Sequence, residues 1–331
     1  MMHGRAASSW VAPVCRAGAR QAGAALLLAM MTVALVATIA AGALWQQWRS
    51  VEIEARERER LQASWILVGA LDWARLILSE DGRTGGADHL AEPWSIALRE
   101  ARLSTFLAID RDNTDLSEDA FLSGQITDAQ ARLNLANLVI GNRVSEPDLQ
   151  AFKRLFNQLG LDTAELDRMV ANLLLALDVR EPEDATVVVP IVPSRTSQLQ
   201  WLGLSTKTVR VVAPFVTVLP TRTQVNLNTA SAEVIAARID GLDLSDARNL
   251  VSARGRTPFR SLVDVSRILP AVASKLNPSE VGVASRFFEV RGQLRLQDME
   301  VVERSLVQRN GISVTTVWRE RAAYDERTAP P

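Results

Sequence analysis

Residues 20–48 read RQAGAALLLAMMTVALVATIAAGALWQQW, and this stretch decides how the remainder of the chain is interpreted. Ala24 to Leu44 contains no charged residue, and as an α-helix this run of 21 residues is roughly 31 Å long, enough to cross a bilayer. A secretory signal has a shorter apolar region followed by a small-residue cleavage site. Here Trp45 and Trp48 follow instead, and such aromatics favour the membrane–water boundary. The stretch therefore predicts a membrane-spanning helix.

The charges on either side of this helix predict its orientation. Arg5, Arg16 and Arg20 precede it, and residues 1–23 contain no acidic residue. By the positive-inside rule, residues 1–23 face the cytoplasm and the bulk of the chain lies outside, which in a bacterium is the periplasm. A plain single-pass anchor would show the same features, so that interpretation stays open at this point.

Composition narrows the classes of function. The 331 residues carry a formal net charge of -1, and the basic leader leaves -4 for the remainder, so overall charge gives no attraction for nucleic acid. The one cysteine, Cys15, lies in the leader, and His89 is the one histidine outside it. We expect His89 to be a surface or turn residue. Few groups are left for catalysis, and the sequence predicts no enzyme.

Gly23 lies directly between the basic leader and the apolar run. This order resembles the class III signal of type IV pilins and of type II secretion pseudopilins. The resemblance implies that a prepilin peptidase cuts between Gly23 and Ala24 on the cytoplasmic side, and that the apolar helix stays on the mature protein as anchor and assembly stalk.

The fifth residue after this cut would be Leu28, where most pilins carry a glutamate. In that family the glutamate is thought to neutralise the terminal amine of the subunit ahead, because a buried carboxylate without a partner is costly. Absence of the glutamate marks the protein K family of pseudopilins. The resemblance therefore implies a subunit at the fibre tip, with no subunit ahead of it.

The helix is expected to continue past the membrane. The segment VEIEARERER predicts ion pairs from Glu52 to Arg56 and from Glu54 to Arg58 on a solvated surface. Two apolar stripes follow at helical spacing, and both are predicted to be buried against a globular domain. The first stripe is Leu61, Trp65 and Val68, and the second is Leu67, Leu71, Ala74 and Leu78.

The segment FLSGQITDAQARLNL, residues 121–135, predicts a turn-rich pair of strands. It also resembles a recurrent stretch of the protein K family. The residues that carry the resemblance are Asp128, Gln130, Arg132, Asn134 and Leu135.

A helical region follows. Ser145–Gly160 and the segment TAELDRMVANLLLALD predict two amphipathic helices, the second with Leu166, Leu173 and Leu177 among its inward residues. Then VNLNTASAEVIAARI, residues 225–239, opens a unit that resembles a helix-hairpin-helix or SAM-like domain. In protein K this unit is a packing module, whereas elsewhere it binds DNA. The hairpin turn DGLDL carries Asp240 and Asp243, which would repel a phosphate, so DNA binding is the weaker alternative.

The C-terminal segments RFFEVRGQLRL, MEVVERSLVQR and ISVTTVWRER predict three antiparallel strands, with a turn at Asn310–Gly311. The predicted fold class is α+β: a long N-terminal transmembrane and stalk helix, and a small antiparallel pseudopilin sheet with a large inserted all-α domain. The predicted division is leader 1–23, transmembrane helix 24–45, stalk 46–80, sheet domain 81–141 and 286–320, insertion 142–285 and tail 321–331.

The resemblance carries further expectations. Protein K subunits hold calcium near an acidic stretch after the second helix. Only part of the family's motif is present here, and the matching residues are Asp178, Glu181, Glu183 and Asp184. A solvated acidic loop is the alternative. The expected partners are the I, J and H minor pseudopilins, the major pseudopilin and the prepilin peptidase. Leu28 is equally consistent with a tip subunit of a type IV pilus, which stays the alternative assignment for the chain.

Overall fold

The computed structural model describes residues 21–103, 120–178, 189–296 and 299–322. The chain divides into two compact units, Met1–Gln62 and Ala63–Pro331. One helix, α1 (Gln21–Thr84), begins in the first unit and ends in the second.

In the first unit, α1 is exposed along nearly its whole length. Within the described residues, α1 is the one helix long and apolar enough to cross a membrane. Its most apolar window has a mean hydropathy of 2.4, and none of that window is buried. The predicted ion pairs form: Arg56 lies 3.7 Å from Glu52, and Arg58 lies 3.2 Å from Glu54.

The second unit contains a five-stranded antiparallel sheet. Its strands are β1 (Leu98–Arg102), β2 (Ala120–Asp128), β9 (Phe287–Leu296), β10 (Met299–Asn310) and β11 (Ser313–Ala322). They lie in the order β1–β2–β9–β10–β11. The predicted hairpin at Asn310–Gly311 is confirmed, and Gly311 has a φ of 60°, which favours glycine. Strand β11 continues to Ala322, beyond the predicted start of the tail at residue 321.

The end of α1 packs on one face of this sheet. The second predicted stripe is buried: Leu67, Leu71, Ala74 and Leu78 join core residues of β2, β9 and β10. The first stripe is not buried: Leu61 is 61% exposed and Trp65 is 72% exposed. Only one side of a single helix can face a single sheet, so the prediction that both stripes are buried was wrong.

The chain between β2 and β9 is mainly helical and has its own hydrophobic core. Its helices are α2 (Glu146–Gln158), α3 (Thr163–Leu177), α4 (Thr206–Val212), α5 (Ala232–Arg238), α6 (Leu244–Arg256) and α7 (Leu262–Ile268). The region is not purely helical, however. It contains short two-residue strands: β3 (Leu133–Asn134) with β6 (Val216–Thr217), β4 (Val139–Ile140) with β5 (Arg143–Val144), and β7 (Val225–Asn226) with β8 (Val281–Gly282).

Three local predictions differ from the structure. Residues 121–135 do not form a strand pair, because β2 ends at Asp128 in a 3-10 turn and Leu133 then pairs with β6. The stalk helix ends at Thr84 rather than residue 80, where Gly85 and Gly86 adopt positive φ. Leu177 is 39% exposed, since it lies at the last turn of α3.

Candidate functional site

The residues of the predicted cleavage site lie at the start of α1. Gly23 and Ala24 are in its first turn, and Leu28 is one turn further along and 68% exposed. Residues 1–20 of the predicted leader, which runs to Gly23, lie outside the described residues. No carboxylate is available between Gly23 and Arg49.

The predicted acidic calcium stretch is described at Asp178 alone, because Glu181, Glu183 and Asp184 lie outside the described residues. Asp178 is the C-cap of α3, and its amide donates to the carbonyl of Leu174 at 3.1 Å. A helix C-terminus carries partial negative charge, so a carboxylate there adds to a potential that attracts cations.

Asn137, two residues after the first quoted protein K segment, and Asn228, within the second, bind main-chain groups in the interior. Asn137 Nδ2 donates to Thr223 O at 2.8 Å, and Thr223 N donates to Asn137 Oδ1 at 3.0 Å. Asn228 makes the same two-way contact with Phe259, with both bonds at 2.9 Å. A side-chain amide that pairs in this way satisfies a main-chain donor and acceptor that no neighbouring strand reaches.

Asn226 holds the helical region to the sheet. Its Nδ2 lies 2.9 Å from Asp128 Oδ2, 3.0 Å from Ser285 Oγ and 3.1 Å from Asp88 O. Asp128 Oδ2 also accepts from Ser285 Oγ and Thr229 Oγ1, both at 2.6 Å. These contacts join the loop after α1, the end of β2, the end of β7 with the turn after it, and the residues just before β9. We call this cluster the polar junction; its members are Asp81, Asp88, Asp128, Asn226, Thr229, Ser285 and Arg309.

The polar junction is rich in carboxylates. Asp88 Oδ2 accepts from Ser285 N at 2.6 Å, and the Arg309 guanidinium contacts both Asp88 and Asp81. Burial raises the pKa of Asp88 to about 6, and burial also raises the pKa of Asp128. Burial lowers the pKa of Arg309, but its carboxylate neighbours outweigh this effect and leave that pKa raised. Asp81 and Asp88 are therefore ion-pair partners of a guanidinium.

The hairpin between α5 and α6 is not arranged to receive a phosphate. Asp243 Oδ1 accepts from Asp246 N at 2.8 Å, so a carboxylate already caps the start of α6. Asp240 is paired with Lys275 and Arg154, and the hydrogen bond from Lys275 lowers its pKa. Arg254 is 9% exposed and donates to Leu227 O, and burial lowers its pKa to about 10. A DNA-binding role has no support in this geometry.

Comparisons with known proteins agree with the resemblance seen in the leader. Residues 131–221 and 225–284 match two family descriptions, each "Type II secretion system (T2SS), protein K". The Type II secretion system protein K of Pseudomonas aeruginosa is 30% identical over 87% of this chain and 89% of its own. The chain belongs to the protein K family of the type II secretion system. It is thus a minor pseudopilin of that system.

Other relatives extend the match. The protein K of Pectobacterium carotovorum is 27% identical over 94% of this chain and 99% of its own length. Among solved structures, "The Crystal Structure of the GspK-GspI-GspJ complex from enterotoxigenic Escherichia coli Type 2 Secretion System" contains a chain with a TM-score of 0.64 and 19% identity. That match covers 81% of this chain and 98% of that one, and it shows a shared fold. These relatives are named as secretion components rather than enzymes.

The polar junction was missed by sequence reasoning. In the sequence, Asp128 is notable for the family resemblance alone, and no pattern singles out Asp88, Ser285 or Arg309. One signal was present in the sequence. In VNLN, Asn226 and Asn228 alternate with apolar residues, and such alternation predicts a strand that buries either the asparagines or the apolar residues. Nothing in the sequence indicated that Arg309 would reach the loop after α1, more than 200 residues earlier.

Proposed function

We propose that this member of the protein K family initiates the pseudopilus at its tip and remains there during protein export across the outer membrane. The observation that carries the proposal is α1, an unbroken helix whose apolar start is exposed and whose end is fixed to a folded sheet. An exposed apolar helix needs a lipid or helical environment. Leu28 requires no amine ahead of it, which suits a first subunit.

In this proposal the prepilin peptidase removes residues 1–23 and leaves Ala24 as the first residue. The mature chain crosses the inner membrane once, with its bulk in the periplasm. The I and J subunits, which accompany protein K in the solved complex, pack beside it, and the H subunit and the major pseudopilin follow. The helical region between β2 and β9 serves as a SAM-like packing module.

The fold supports the tip position through its size. The compact unit from Ala63 onward carries a helical region with its own core beside the sheet. Such an addition to every subunit would crowd a fibre whose stalk helices pack closely, since helix axes in contact lie about 8–10 Å apart. At the tip no further subunit competes for that space.

Deletion and complementation test this function. Deletion is expected to abolish both secretion and pseudopilus formation, and the wild-type chain should restore both. Leu28→Glu should restore neither, because a carboxylate without an amine partner is costly in an apolar surrounding. Leu28→Met is the matched control and should complement fully. Secretion that persists in the deletion strain, or full activity of Leu28→Glu, would contradict the tip assignment.

We also propose that the acidic stretch holds calcium. Four carboxylates supply the hard oxygen ligands that calcium prefers, and Asp178 lies where a helix end favours a cation. When bound, the ion would tie the end of α3 to residues 181–184. Added calcium should raise the thermal midpoint of the wild-type protein, whereas Asp178→Asn should lose most of that increase. An equal increase in both proteins would contradict the assignment.

A further inference from the structure

The five-stranded sheet has two edge strands, β1 and β11, among the described residues. The order β1–β2–β9–β10–β11 leaves one side of each without a strand partner. Strand β1 carries Arg99, Glu100 and Arg102, and its register has a bulge between Leu98 and Ala101. Charges and bulges on an edge strand discourage pairing with a second chain. Strand β1 is therefore protected by its own residues.

The second half of β11 is protected in a similar way. The register of β11 on β10 shifts at Val317, which is the extra residue of a bulge. Residues 319–321 read RER and are all charged. Arg195, from the helical region, forms an ion pair with Glu320 and lies over the Trp318 ring, 4.9 Å from its centroid. These features discourage a further strand along the second half of β11.

The first half of β11, Ser313–Thr316, has no charge of its own. Its sequence is SVTT, in which valine and threonine favour strands, and both threonines are exposed. Asn310 and Ser313 flank the two-residue turn of the hairpin and form a hydrogen-bonded pair. Such pairs alternate along an antiparallel ladder, so the main-chain groups of Val314 and Thr316 point away from β10. An open edge of this kind pairs readily with another strand.

Side chains of α1 occupy this open edge. The Arg75 guanidinium donates to Val314 O through Nε at 3.0 Å and through Nη2 at 2.7 Å. Its Nη1 donates to Asp72 Oδ1 at 2.8 Å, which holds the guanidinium in place. About one turn further along α1, Ser79 Oγ donates to Ile312 O at 2.7 Å. The helix thus binds the outward carbonyl groups at the start of β11, where the strand has no charge to protect it.

A second copy of this chain is the strand partner that the open segment fits. When two Ser313–Thr316 segments pair antiparallel about a two-fold axis, Val314 lies opposite Thr315. Cross-strand pairs of β-branched residues are favourable. In this register the charged residues 319–321 of each copy lie beyond the paired segment, so like charges are not opposed. The segment is therefore complementary to itself.

We propose that Arg75 blocks the edge of β11 and so prevents this chain from pairing with a second copy of itself. The contact is autoinhibitory, because the bonds from Arg75 and Ser79 cover a strand-docking site formed by Ser313–Thr316. The guanidinium must leave Val314 O before a strand of another copy can bind there. This role goes beyond a place at the pseudopilus tip, because it concerns the free chain and its own association.

The molar mass of the full chain in detergent, measured by light scattering over a range of protein concentrations, tests this proposal. The protein mass of Arg75→Ala should rise with concentration toward twice that of the wild type, because the change uncovers the edge. Arg56→Ala is the matched control and should follow the wild type, since Arg56 is an exposed, ion-paired arginine of the same helix. Equal masses of Arg75→Ala and wild type at every concentration would overturn the proposal.

Hydrogen exchange shows whether the association uses β11. Peptides that cover residues 313–318 should exchange several-fold more slowly in concentrated than in dilute Arg75→Ala, whereas peptides from α2 should not change. Adding Thr316→Lys, which places a charge on the edge, should return Arg75→Ala to the wild-type mass. Arg75→Gln should associate in the same way and serves as the second variant if Arg75→Ala does not fold. Association without slower exchange in residues 313–318 would contradict the proposal.

Discussion

At the scale of single residues, the protein K segments supply amides rather than reactive groups. Asn137, Asn226 and Asn228 each satisfy main-chain or carboxylate partners that the short strands leave unpaired. Asn226 is fully buried and touches three separate chain segments through one nitrogen. Removing a buried donor leaves its acceptors unsatisfied, and that cost exceeds the value of the hydrogen bond itself.

Asn226→Ala should therefore lower the free energy of unfolding by about 2–4 kcal/mol, because Asp128 and the Asp88 carbonyl lose a donor in the interior. Denaturant unfolding of the full chain measures the loss. The matched control is Asn249→Ala, at an exposed position of α6, which should change stability by less than about 0.5 kcal/mol. Similar values for the two variants would show that the polar junction contributes little.

At the scale of elements, α1 changes its surroundings along its length. Its start is apolar and exposed, its middle is charged, and its end is fixed by one buried stripe and by contacts with the β10–β11 turn. Ser79 Oγ donates to Ile312 O at 2.7 Å, and Arg75 donates to Val314 O at 2.7 Å. The helix also passes the turn at Gly82, where an added Cβ would lie 2.4 Å from Gly311 O.

Two glycines of α1 should respond in opposite directions to the same change. Gly82→Ala forces the helix away from the turn and should destabilise the protein by about 1–3 kcal/mol. Gly69→Ala has open space around the new Cβ, and it should stabilise by about 0.5–1 kcal/mol through helix propensity. Thermal unfolding of the two variants measures both signs. A stabilising Gly82→Ala would show that the helix end does not press on the turn.

Element-scale patterns also show how far the sequence was informative. The Asn310–Gly311 pair predicted the hairpin, and helical spacing predicted the buried stripe from Leu67 to Leu78. The same spacing could not tell which of two stripes meets the sheet. The strand pair predicted over residues 121–135 was wrong because Asp128 and Asn134 cap 3-10 turns. Turn-forming residues do not specify which strand a segment pairs with.

At the scale of the whole molecule, the sequence indicated the class of protein better than it indicated which residues meet in the protein's interior. The order of basic leader, Gly23, apolar helix and Leu28 resembles the pseudopilins, and the comparison with Pseudomonas protein K establishes the family. The polar junction depends on residues between 81 and 309, and local patterns carry no information about such distant pairing. Most of the leader and most of the acidic stretch lie outside the described residues, so their roles remain predictions.

The measurement that tests the central claim most directly is the N-terminal mass of the protein from membranes with and without the prepilin peptidase. We predict a mature chain that begins at Ala24 when the peptidase is present, and a chain that retains residues 1–23 when it is absent. This result would make Leu28 the fifth residue, as the tip assignment requires. Retention of residues 1–23 in both strains would contradict the account and leave α1 as an ordinary membrane anchor.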